Sequence, residues 1–112
     1  MRMIELQDEF AQGVVDTVQA SWDEIRIHYE NAVVKGHRHV MHTAGYFHQG
    51  VRRDLKLPLE LLDVLRALKA CKPEGQAEEW TWLEFVVSSA TGKYNFDYNY
   101  GPPPKLTALY GA

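Results

Sequence analysis

A single cysteine, Cys71, stands in a chain of 112 residues, so an internal disulfide is impossible and a reducing compartment is the default setting. Long apolar runs are missing: no stretch approaches the roughly 20 residues that a membrane-spanning helix needs. The opening MRMIELQDEF also has no uninterrupted apolar core of signal-peptide length and carries acids early. A basic excess is missing as well. Lys and Arg number 12 against 15 Asp and Glu, and the formal net charge of −3 argues against a general nucleic-acid binder. There is no phosphate-cradling glycine loop, no dinucleotide fingerprint and no nucleophile elbow. The expectation from these absences is a cytoplasmic protein that binds neither membrane nor nucleic acid directly, and that uses no cofactor.

What is present is a foldable domain. Hydrophobic residues make up 46% and charged residues 24%, enough for one core that removes about two-thirds of the extended-chain surface from water. Charge is unevenly spread: Met3 to Glu30 holds seven acids and one base, whereas Lys35 to Lys72 holds eight bases and three acids. Such a chain has an acidic flank and a basic flank, each able to steer a charged partner.

Periodicity divides the chain into elements. Met3, Leu6, Phe10, Val14, Val18 and Trp22 recur at three- and four-residue steps, which predicts an amphipathic helix over 3–22. Ile25, Ile27 and Tyr29 then alternate with Arg26, His28 and Glu30, the period of a strand buried on one face. Lys35-Gly36 is a turn, and His39 to His48 is the returning strand, expected to bend, bulge or split at Gly45. Gly50 to Lys56 is a basic connection, and Pro58 suits the first turn of a second helix striped by Leu61, Val64, Leu65 and Leu68 and ended by Pro73 and Gly75.

The strongest signal is the segment EEWTWLEFVVSSATGKYNFDYNY, Glu78 to Tyr100, a β-hairpin turning at Gly92. Leu83, Phe85 and Val87 share one parity with Tyr94, Phe96, Tyr98 and Tyr100 across the turn, making a core face. The whole is α+β, an antiparallel sheet of about four strands with two helices packed on one face, in the order α-β-β-α-β-β. One α+β domain spans 1–101, and 102–112 form a Pro-rich C-terminal tail that docks through Leu109 and Tyr110 or stays loose.

Candidate chemistry is sparse. HRHVMH, His37 to His42, places His37 and His39 on one side of a strand, a start for a zinc, copper or nickel site. His42 has the opposite parity and no Cys or carboxylate sits at ligand spacing, so solvent-facing histidines are the plainer account, and no metal is expected. Asp54-Leu55-Lys56 resembles the acid-x-Lys element of metal-dependent nucleases but precedes Pro58, as the start of a helix does. Cys71 has no histidine partner and lies near a helix C-terminus, where the dipole disfavours a thiolate. Arg52, Arg53, Lys56, Lys35 and Arg38 suit phosphate contacts or a solvated flank.

The other hairpin face is more telling. Trp82, Glu84, Asn95, Asp97 and Asn99 lie together there, because cross-strand neighbours have Cβ atoms about 4.5–5.5 Å apart. Glu30, on the polar side of the first strand, is placed with them. An aromatic ringed by acids and amides is the composition of a protein-binding patch. The alternative is that Trp82 is covered by the tail or by the first strand.

The hairpin also resembles that of the YezG-like immunity family, whose members carry a W-T-x-L-x-F stretch, a short Gly-Lys turn and an alternating aromatic strand containing Asp. Here these are Trp80, Thr81, Leu83 and Phe85, then Gly92 and Lys93, then Tyr94, Phe96, Asp97 and Tyr98. A helix leading to Trp22 and a first alternating strand fit the same layout. The resemblance implies an antitoxin of a bacterial polymorphic toxin system. Such a protein binds a cognate toxin, often a nuclease, and blocks it by stoichiometric protein–protein binding. It implies no enzyme activity and no catalytic residue. The alternatives are a small metal-binding protein or metal-dependent enzyme built on His37 and His39, and an adaptor using the same outer face.

Overall fold

The computed structural model describes residues 2–71 and 79–111, and the expected helix stop at Pro73 and Gly75 and the hairpin start at Glu78 lie outside these described residues. The elements are α1 (Arg2–Thr17), β1 (Glu24–Val34), β2 (His37–His48), β3 (Val51–Asp54), α2 (Leu59–Ala70), β4 (Trp82–Ser88), β5 (Tyr94–Asn99) and α3 (Pro104–Tyr110). Among the described residues five strands form one sheet in the order β3-β2-β1-β4-β5, with every neighbouring pair antiparallel. The architecture is therefore α+β on an antiparallel sheet, with one strand and one helix more than the periodicity indicates.

Alternation along β1 writes the two faces. Ile25, Ile27 and Tyr29 point to the side that α1 and α2 cover, and Leu83, Phe85 and Val87 of β4 lie opposite them in register. From α1 come Leu6, Phe10 and Val14, and from α2 come Leu61, Val64, Leu65 and Leu68, all buried in the same core. Phe10 is wholly buried and meets Phe85 edge-on with ring centroids 5.1 Å apart, the geometry in which one ring's edge faces the other's π-cloud. Polar clasps fix α1 to β5: Gln7 Nε2 donates to the Tyr98 hydroxyl at 2.8 Å, and the Tyr94 hydroxyl donates to Asp8. The helices α1 and α2 approach at Gly13, where a Cβ would lie 2.4 Å from Leu61 Cδ2. That close approach accounts for a glycine inside α1 despite its cost of about 1 kcal/mol in helix propensity.

Several expectations are corrected. The first helix stops at Thr17 instead of Trp22, because Asp23 is claimed by the sheet: its amide donates to Phe47 O at 2.7 Å and its carbonyl accepts from the Ser89 amide at 2.9 Å. Val18 and Trp22 still pack against the core, from an irregular segment. The second strand neither splits nor bulges; it stays in register with β1 from His37 to Phe47. Gly45 serves a neighbour instead, since a Cβ there would sit 2.7 Å from the Arg52 guanidinium that lies across it. The basic connection contains a short strand, β3, all four residues of which are exposed. Pro58 is the N-cap of α2, one position before the first turn. The tail forms α3, which buries Leu106 on the sheet face opposite α1 and α2, while Leu109 stays 70% exposed. Tyr110 does dock in part, stacking on His39 at 4.0 Å between centroids.

Candidate functional site

The outer sheet face carries the even residues of β1, and its rows follow from the register. One row runs Thr43–His28–Glu84–Asp97, the next Met41–Glu30–Trp82–Asn99, and the one on the other side Gly45–Arg26–Val86–Asn95. Trp82, Glu84, Asn95, Asp97 and Asn99 thus occupy three consecutive rows of β4 and β5 on one face. Glu84, Asn95 and Asp97 are exposed, and Trp82 and Asn99 are half-buried. The first strand partly covers Trp82: the His28 ring tilts against the indole with centroids 5.3 Å apart.

Glu30 departs from the expected patch. It is wholly buried, so in this fold it offers nothing to a partner. Its Oε2 meets His28 Nε2 at 2.5 Å and accepts from the Lys105 amide at 3.0 Å, and its Oε1 accepts from the Leu106 amide at 2.8 Å. These are the free amides of the first turn of α3, which no α3 side chain caps. A carboxylate from a distant strand supplies the missing acceptors. Burial by itself would push the Glu30 carboxyl up; the His28 hydrogen bond and the two α3 amides outweigh it and hold the carboxyl below the usual range.

His28 joins this buried clasp to the exposed patch. Its Nδ1 lies 3.2 Å from Glu84 Oε2, so the ring stands between two carboxylates, one buried and one half in water. An imidazolium donates to both, whereas a neutral ring donates to one only. Beside it an open hollow of about 270 Å³ is lined by Arg26, His28, Thr43, Phe47, Glu84 and Lys105, among others. Arg26 is paired with Glu24 at 2.5 Å in the open, a contact of little energetic weight. The site offers charge, amides and one aromatic surface for binding.

His37 and His39 share the outer face of β2, but His39 is under Tyr110 and His42 is on the opposite face beside Lys56 and Leu55. Among the described residues no three His, Cys, Asp or Glu side chains gather to hold a metal ion. Asp54 lies on β3 and is paired with Arg52 at 2.5 Å. Cys71 is the C-cap of α2, its amide donating to Leu68 O. No helix among the described residues is long and apolar enough to cross a membrane.

Sequence reasoning missed His28 as part of the site, and Lys105 with it. The parity of His28 placed it on the polar face, but one of its carboxylate partners lies two residues along its own strand and the other on another strand entirely. Neither a comparison with protein-family models nor one with curated proteins finds a match.

Proposed function

We propose that this protein is an immunity protein: a stoichiometric inhibitor that binds a cognate bacterial toxin, a nuclease by the resemblance of its hairpin, inside the cytoplasm of the producing cell. The observation that carries the reading is the outer face of β4 and β5, where a half-buried Trp82 is bordered by exposed Glu84 and Asp97 and by Asn95 and Asn99. A nuclease cleft must be basic to hold phosphate, and carboxylates presented to it speed association and discriminate between partners. A half-buried indole supplies the desolvated anchor that such interfaces need. The protein contributes no chemistry of its own.

Copurification of the tagged protein from its native cells identifies the partner. Binding of that toxin domain is then measured for folded Trp82→Ala, Glu84→Ala and Asp97→Ala variants. Truncating the Trp82 anchor is expected to weaken binding by about 2–4 kcal/mol. The carboxylate variants should act chiefly by slowing association and flattening its salt dependence. Parental affinity in all three variants, or a copurifying partner with no toxin-like domain, would remove this reading.

A further inference from the structure

The longest uncovered backbone edge among the described residues belongs to β2. β3 pairs with β2 only from Gly45 to His48, so no described strand lies beside the edge from His37 to Thr43. The direction of its backbone groups follows from one bond: the Leu55 amide donates to Ala44 O at 3.0 Å, so the groups of Ala44 point away from β1. Orientation repeats every second residue along a strand, which turns the amides and carbonyls of Arg38, Val40 and His42 the same way. They face outward along roughly 20 Å of edge at about 3.4 Å per residue.

Three features surround this edge. Val40 is 49% exposed and Leu59 is 76% exposed, an unusual display for side chains this apolar. His42 borders a hollow of about 590 Å³ whose other walls include Leu55, Leu57, Pro58 and Leu62, all apolar. The charge is mainly positive: Lys35 and Arg38 border a second hollow at one end, where the acid Glu79 is paired with Lys69, and Lys56 lies beside His42 at the other. Asp54, the acid on β3, is already paired with Arg52.

We propose that the open edge of β2 receives an extended, acidic segment of a partner protein, added to the sheet as a further strand. Strand addition takes its affinity from main-chain hydrogen bonds and its specificity from pockets for alternate side chains. Here the backbone of Arg38, Val40 and His42 supplies the bonds, the hollow beside His42 takes an apolar side chain, and the cations at both ends select carboxylates. A second copy of the chain is the poorer occupant, since it brings Lys35, Arg38 and Lys56 against themselves. This surface is separate from the outer-face patch and stands or falls without it.

The test is selection against the immobilised protein from a random peptide library of about twelve residues, long enough to span the edge. Selected peptides are expected to alternate and to carry Asp or Glu. Their amide signals in the isotope-labelled protein should shift at Arg38, Val40 and His42. Val40→Pro deletes one edge donor at a position where the outward amide has no partner among the described residues, so the domain tolerates it. Binding should fall at least tenfold there and likewise with Arg38→Glu, which tests charge without touching the backbone. Selection of no peptide, of basic or neutral peptides, or of peptides that bind both variants at parental strength would overturn the proposal. So would a dimer in sedimentation that Val40→Pro dissociates, because a second copy would then be the occupant.

Discussion

Replacing Glu30 by Ala removes the acceptor for three donors at once: His28 Nε2 at 2.5 Å, the Leu106 amide at 2.8 Å and the Lys105 amide at 3.0 Å. Hydrogen bonds to a charged group contribute about 1.5–3 kcal/mol each, but these three share one carboxylate and do not add. Leaving buried donors without their acceptor costs about 1–3 kcal/mol each, so a loss of about 3–5 kcal/mol is expected in urea denaturation. The loss should also be local. With its first-turn amides uncapped, α3 keeps Leu106 in the sheet and the Tyr110 stack on His39 but loses its polar anchor, so amide exchange at 105–111 should quicken far more than in β4. Glu30→Gln keeps one oxygen for the α3 amides and should lose about half as much. The pH dependence has a fixed sign. The folded carboxyl sits below its ordinary value of 4.5, so its stabilisation is complete above that value. It disappears as pH falls through the lowered folded value, and α3 should release in acid before the core melts. A Glu30→Ala protein within about 0.5 kcal/mol of the parent, with unchanged exchange in α3, would refute the reasoning.

Other outcomes follow from the same contacts. Phe10→Ala empties the space against Phe85 and Phe96 and should cost about 3–5 kcal/mol in chemical denaturation; a loss below 1 kcal/mol would mean the core refills. The hydrogen bond to Asp8 pushes the Tyr94 phenol up to about 12, so its absorbance change on ionisation should come late in an alkaline titration. Asp8→Ala should bring it back toward the ordinary value of 10. The contact stabilises the fold below that ordinary value and is lost as pH rises through the folded one.

Much of the frame was legible because alternation is a local signal. Leu83, Phe85 and Val87 on one side, with Trp82, Glu84 and Val86 on the other, fix the faces of β4 without knowledge of its neighbours. The stripe Leu61, Val64, Leu65, Leu68 does the same for α2. β3 left no such mark. All four of its residues are exposed, so only its ladder to β2 makes it a strand, and ladders are not written in a strand's own periodicity. α3 escaped for a related reason. Its seven residues carry no capping side chain, and what holds its first turn is a carboxylate 75 residues earlier in the chain. Trp80 shows the same limit. It precedes β4, turns inward and is 1% exposed, its indole N–H donating to Leu68 O at 3.2 Å, a partner that only the packing of α2 supplies. That Trp82, Glu84, Asn95, Asp97 and Asn99 share one face was legible because it depends on parity within the hairpin. The buried half of the site, His28 and Glu30, depends on the register among β1, β4 and α3.

The two chemistries written on alternate residues of β1 also decide which pairings the chain refuses while it folds. A slip of one residue against β2 or β4 would turn Ile25, Ile27 and Tyr29 toward the outer face and drive Arg26, His28 and Glu30 between the helices. That interior is lined by apolar side chains, so the misaligned sheet would have to desolvate charged groups there. The central strand thus acts as its own alignment key, disfavouring pairings one residue out of step.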